Sequence, residues 1–156
     1  MRSTVLLCID GSELSLAAAA AGRALLAPDT AVAIVTVSDA PDVAETVGSG
    51  HAGPAISPEE FDRKTKAADA AARSNLAAAA EALDLPDAAT HVLGGHPGQA
   101  ICRLAAELSA AALVIGSRGH GGLKRVVLGS VSDYVVRNAP CTVVVTAPQG
   151  VADDRR

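Results

Sequence analysis

Aromatic side chains are almost missing from this 156-residue chain: rings make up 1% of it, Phe61 and Tyr134, and there is no tryptophan. That excludes the stacked-ring platforms on which proteins hold single-stranded nucleic acid, and it argues against a stacked flavin. An excess of positive charge is missing too. Thirteen Lys and Arg against 17 Asp and Glu leave a formal net charge of −4 at pH 7, so the overall field repels nucleic acid and anionic lipid. An anion site would need positive groups concentrated locally. No uncharged apolar run reaches the ~18 residues of a membrane-spanning helix. The opening Met-Arg-Ser-Thr passes straight into an apolar run that stops at Asp10, without the length or small-residue cleavage site of a secretion signal. Cysteine is sparse and odd in number. Cys8, Cys102 and Cys141 each sit within an apolar pattern, which predicts buried, reduced thiols. The expectation is a cytoplasmic protein with neither a nucleic-acid nor a membrane partner.

What is plentiful is Ala, Val and Leu. Apolar residues are 49% of the chain, too many for disorder, and the length suits one domain with a real core. Thr4 to Ile9 is a continuous β-branched and Leu run, the pattern of a strand buried on both faces. It ends in Asp10-Gly11-Ser12. Glu13 to Ala27 reads as an Ala-rich helix with Ser12 as N-cap and Pro28 as its stop. Ala31 to Val37 is a second strand. Ser38 to Ser57 collects Pro and Gly and predicts a mobile loop, long for a compact domain. Ser57-Pro58-Glu59-Glu60 is a helix start, with cap, first-turn proline and acids in order, for a helix to about Leu83. Strands at Ala88–Leu93, Ala111–Gly116 and Cys141–Thr146 alternate with helices at Pro97–Ser109 and Ser130–Asn138.

This alternation predicts a single doubly wound α/β domain, Rossmann-like, over residues 1–148, followed by a flexible tail at 149–156. The expected sheet has five parallel strands in the order 3-2-1-4-5, with four helices. Such sheets bind ligands beyond the carboxyl ends of their strands, where the winding direction switches. Asp10, Val37 with Ser38, and the stretch 116–119 would line that crevice.

The glycine-rich stretch after the fourth strand does not fit the commonest nucleotide motifs. No Gly-Lys pair exists for a Walker loop, and the first strand turns through Asp10-Gly11-Ser12-Glu13 instead of Gly-x-Gly-x-x-Gly. Asp10 has no adjacent acid and the fifth strand ends without lysine, unlike a phosphate-accepting receiver. What is present is Gly116-x-x-Gly119, nine residues, then Gly129-Ser130. Glycines let backbone N–H groups approach an anion without an intervening Cβ, and a helix amino end adds free donors and about half a positive charge. Arg118, His120, Lys124 and Arg125 concentrate positive charge in the same loop.

With its strand–loop–helix setting, this spacing resembles the universal stress protein family in its ATP-binding branch. The likeness extends over Val5–Ser12 at the start and Leu128–Cys141 near the end. It implies ATP as ligand, with Gly116, Gly119, Gly129 and Ser130 on the phosphates and Arg118 and Val131 beside them. Val37 would hold adenine through its backbone and Ile115 would line the pocket. Asp10 would lie near the ribose and phosphates, reaching Mg²⁺ through water. The resemblance also implies a homodimer through strand 141–146, an uncharged β-rich segment that needs cover. Competing readings stand beside these. Asp10 could simply cap the first helix, Ser130 with Asp133 could form a capping box, and Lys124 and Arg125 could be solvated charges. For function, a nucleotide-dependent regulatory or stress-response module competes with a slow Mg-dependent ATPase and with a member acting through protein contacts alone. Hydrolysis is disfavoured because no general base and no Walker lysine can be placed.

Overall fold

In a computed structural model that describes residues 4–41, 56–117 and 128–147, the chain alternates strands and helices as predicted. The elements are β1 (Val5–Cys8), α1 (Glu13–Arg23), β2 (Val32–Val37), α2 (Pro58–Ala82), β3 (Ala89–Leu93), α3 (Pro97–Glu107), β4 (Ala112–Gly116), α4 (Ser130–Asn138) and β5 (Thr142–Thr146). All strand pairs are parallel, in the order β3-β2-β1-β4-β5. β1 is central, with Val5 in register with Val32 on one side and Ala112 on the other. All four of its residues are buried, which is why it reads as an unbroken apolar run.

Successive side chains point to opposite faces of the sheet and build two cores. Leu6, Cys8, Val35, Leu113 and Ile115 pack with Ile101, Leu104 and Val135 of α3 and α4. Leu7, Ile9, Ile34 and Val114 pack with Ala19, Leu76 and Ala79 of α1 and α2. Each fully buried Leu or Ile here contributes roughly 1.5–3 kcal/mol before entropy is counted.

The helix ends show where local rules held. Ser12 accepts from the Ser15 N–H to cap α1, and Ser57 accepts from the Glu60 N–H to cap α2. α1 stops at Arg23 rather than continuing to Ala27. Leu25 and Leu26 donate to the carbonyls three residues back, Gly22 and Arg23, a tightened turn that ends the helix before Pro28 can clash with it. α3 closes at Glu107, not Ser109, because Ser109 adopts a left-handed φ of 49°. On the exposed face of α2, Lys64–Glu60 and Lys66–Asp62 pair at helical spacing, and such exposed pairs add little.

The thiols partly depart from expectation. All three are free, but only Cys8 is buried, while Cys102 and Cys141 are half-buried. Burial pushes the Cys8 thiol up to about 12, helped by its neighbours Cys102 and Cys141. It therefore stays protonated and inert at neutral pH. Most of the predicted loop 38–57, and the tail 149–156, lie outside the described residues.

Candidate functional site

Three strand ends and one helix start meet at the carboxyl edge of the sheet. At the end of β1 the Asp10 carboxylate accepts from the Ser12 N–H at 2.9 Å and from the Ser12 hydroxyl at 2.6 Å. The Asp10 N–H donates to Ser15 Oγ at 3.1 Å. The cap of α1 is thus Ser12, and Asp10 orients that cap from outside the helix. Gly11 completes the turn with φ +81°, a left-handed conformation that favours glycine, and a Cβ there would have to displace the Asn75 side chain of α2.

At the end of β2, Val37 packs against the core on the α3/α4 side. The β1–β2 ladder stops at Cys8 opposite Val35, while β2–β3 continues to Val37 opposite Leu93. The flank of Val37 toward β1 is therefore without strand pairing among the described residues. The next residue, Ser38, is pinned twice: its N–H donates to the Leu93 carbonyl at 2.8 Å and its hydroxyl to Asp69 at 2.8 Å.

At the end of β4, Ile115 is a core side chain, 7% exposed, packed in the cluster on the α3/α4 side of the sheet. Gly116 sits in register with Thr146. Ser117 donates its N–H to the Thr146 carbonyl at 2.9 Å and accepts from the Gly129 N–H at 2.8 Å. That last bond brings Gly116 and Gly129-Ser130 together across the glycine-rich stretch. Arg118 and Gly119 lie outside the described residues, as do His120, Lys124 and Arg125.

The start of α4 differs from the capping box considered above. Gly129 is the N-cap and Ser130 the first helical residue, and among the described residues no side chain caps this end. Asp133 is turned to Arg137, at 3.0 and 3.1 Å. Ser130 is exposed and Val131 half-buried. Among the described residues no side-chain acceptor consumes the first-turn amides of α4, the condition in which a helix end attracts an anion.

Sequence reasoning missed two features here. One is the amino end of α3, also without a side-chain cap at its N-cap His96. With α4 it flanks an open cleft of about 220 Å³ lined by His96, Pro97, Gly98, Gln99, Ser130, Val131 and Tyr134. Gly98 permits this approach, since a Cβ there would lie 2.6 Å from the Tyr134 ring. The Gly-Gly-His-Pro-Gly run at 94–98 was the signal, a second glycine-flanked strand-to-helix junction. The other is Ser132, buried to 2% exposure, whose hydroxyl donates toward the Gly129 carbonyl at 2.9 Å and the Ser117 carbonyl at 3.2 Å. Among the described residues no cluster of three His, Cys, Asp or Glu could hold a metal ion. No helix of the described residues is long and apolar enough to cross a membrane.

Against known proteins, the model of the universal stress protein family matches residues 1–147. A universal stress protein of Synechocystis, Slr1101, is 42% identical over 64 residues, which is 41% of this chain and 58% of that protein. The match thus spans little more than half of that relative's length. Among solved structures, the universal stress protein UspA of Lactobacillus plantarum superposes with a TM-score of 0.69 at 23% identity, over 92% of this chain and 97% of that one. A universal stress protein crystallised in complex with cAMP superposes with a TM-score of 0.60 at 27% identity, over 94% and 97% of the two chains.

Proposed function

The chain belongs to the universal stress protein family, and from that premise we propose that it binds an adenine nucleotide at the carboxyl edge of its sheet. ATP is the ligand proposed, with the bound nucleotide acting as a regulatory or stress-response signal. The observation that carries the reading is the start of α4. Its amino end is capped by no side chain among the described residues and is tied to the exit of β4 by the Gly129–Ser117 hydrogen bond. That presents backbone donors and the positive end of the helix dipole to one point. The cAMP complex of a relative of the same fold supports adenine as the base.

In this reading Gly116, Gly119, Gly129 and Ser130 surround the phosphates, with Arg118 and Val131 adjacent. Since the Gly129 N–H already serves Ser117, the amides of Ser130 and Val131 are the donors α4 offers, and Gly129 contributes close approach. The unpaired flank of Val37 takes the adenine edge, over Ile115. Asp10, as an oriented carboxylate, suits the ribose or a water-held Mg²⁺ rather than phosphate, which it would repel. Calorimetric titration of ATP, ADP and cAMP, with and without Mg²⁺, tests this. We expect saturable heat with ATP that disappears in Gly119→Val; no heat with any nucleotide would leave only the protein-contact reading.

A homodimer through β5 is proposed on separate grounds. β5 is an edge strand of the sheet, and Val145 on it is 36% exposed. Its neighbours Val143 and Val144 are half-buried. An apolar edge of this kind needs cover, and two-fold pairing with a second copy supplies it. Light scattering at micromolar concentration should return twice the chain mass, and Val145→Lys should return one; a monomer for the unchanged chain overturns the proposal.

A further inference from the structure

The four described helices begin in two different ways. α1 and α2 start with serine at the N-cap, an acceptor that takes a first-turn N–H for itself. α4 starts with Gly129, which has no side chain to offer. Yet its start is fixed, from outside by Ser117, which accepts the Gly129 N–H, and from inside by a hydroxyl of the helix itself. Ser132 is among the few polar side chains buried in the described residues, at 2% exposure. Its hydroxyl points back at two carbonyls, Gly129 at 2.9 Å and Ser117 at 3.2 Å.

A bond from a serine to the carbonyl three residues earlier is common in helices. The bond to Ser117 is not local, because Ser117 follows β4, fifteen positions back in the chain. Ser117 is itself held to β5 through its N–H and the Thr146 carbonyl. The hydroxyl thus joins the strand exit to the helix start, alongside the Gly129 N–H to Ser117 bond at 2.8 Å. The polarity of the contact matters. A capping side chain accepts from backbone N–H groups and occupies them, whereas Ser132 donates to carbonyls. It fixes the start of α4 while leaving the first-turn donors available.

We infer that Ser132 is the positioning residue of the anion site: its hydroxyl sets the separation of Ser117 and Gly129 so that the free amides of α4 converge on phosphate. The inference rests on the adenine-nucleotide reading above. It does not make Ser132 a ligand, since its one proton is directed at carbonyls. The contact should act on phosphate-bearing ligands and leave the base and ribose contacts alone.

The test compares ATP with adenosine by calorimetry and follows Gly129 amide exchange by NMR in the nucleotide-free protein. Ser132→Ala should weaken ATP about tenfold, the 1.4 kcal/mol scale of one hydrogen bond, with adenosine affinity changed less than about twofold. Gly129 exchange should quicken by a similar factor. Ser132→Cys, close in volume but a weak donor, should behave as Ser132→Ala does and guards against a packing defect in the alanine variant. Ser132→Thr retains the hydroxyl and should recover most of the ATP affinity. A purely structural role would lower both affinities together, and that outcome, or an unchanged ATP-to-adenosine ratio, overturns the inference even while wild-type binding upholds the nucleotide site. Absence of ATP and adenosine binding by the wild-type chain would instead bring down the nucleotide reading, with Gly129 exchange still reporting on the hydroxyl's hold on the loop ends.

Discussion

Gly22→Ala should destabilise the folded chain by about 2 kcal/mol, although alanine is the better helix former. Two effects oppose each other at this position. Replacing a helical glycine by alanine favours the helix by at most about 1 kcal/mol, the full interior value not applying to Gly22 in the last turn of α1. Against that, a Cβ on Gly22 would lie inside van der Waals contact of Val114 Cγ1, with Val114 Cγ2 at 3.1 Å and Cβ at 3.2 Å. Val114 cannot move aside. It is fully buried, sits opposite Leu7 and Val144 in the sheet, and is β-branched, which restricts its rotamers. Overpacking of this kind costs about 1–3 kcal/mol, and the rigid surroundings place Gly22 at the upper end. The helix cannot retreat easily either, because the Thr146 hydroxyl donates to the Ala18 carbonyl at 2.8 Å and ties α1 to β5. Urea denaturation should show the loss as a lower midpoint at unchanged slope. The double variant Gly22→Ala with Val114→Ala should be more stable than the sum of the single changes predicts, since the second removes the atom the first strikes. Strict additivity would mean that the contact is not what requires glycine.

Ser130→Asp should separate stability from binding. Ser130 is the first residue of α4 and exposed, so an acid fits there without repacking. It lies at the positive end of the helix, where a negative side chain stabilises by about 0.3–1 kcal/mol. The melting temperature should hold or rise slightly. The same carboxylate would stand where the phosphates are proposed to bind. A unit charge within about 5 Å of phosphate at an effective dielectric near 20 costs on the order of 3 kcal/mol, a loss of about a hundredfold in ATP affinity. Adenosine, which carries no phosphate, should bind as before. If Ser130→Asp bound ATP as tightly as the unchanged chain, the amino end of α4 would not be the phosphate site. Raising ionic strength should shrink the penalty, because the site is open to solvent and exposed charges are screened.

The fold was legible along the chain because its signals are local. Val5 to Cys8 is apolar at every position since β1 is paired on both sides and covered on both faces. Ser12 and Ser57 cap the helices that follow them, and the strand–helix alternation dictates a parallel sheet with right-handed crossovers. Helix ends were less legible. Ala24 to Ala27 contains only good helix formers, yet α1 ends before them.

The candidate site divides in the same way. Glycine spacing marked Gly116 and Gly129, and the resemblance to the universal stress protein family supplied roles for Val37, Ile115 and Asp10. The capping rule placed the N-cap of α4 at Ser130 with Asp133, and it failed because Gly129 is held from outside the helix by Ser117, so Gly129 is the cap and helical geometry begins one residue earlier than that rule needs. Ser132 looked like an ordinary first-turn serine. Its importance depends on Ser117, brought to it only when β4 and α4 pack, just as the need for glycine at position 22 depends on Val114. Periodicity, caps and glycine spacing are properties of neighbouring residues and can be read in order. Which carbonyl a buried hydroxyl meets, and which methyl a missing Cβ makes room for, are properties of the packed sheet and its two helical layers, and only the tertiary structure decides them.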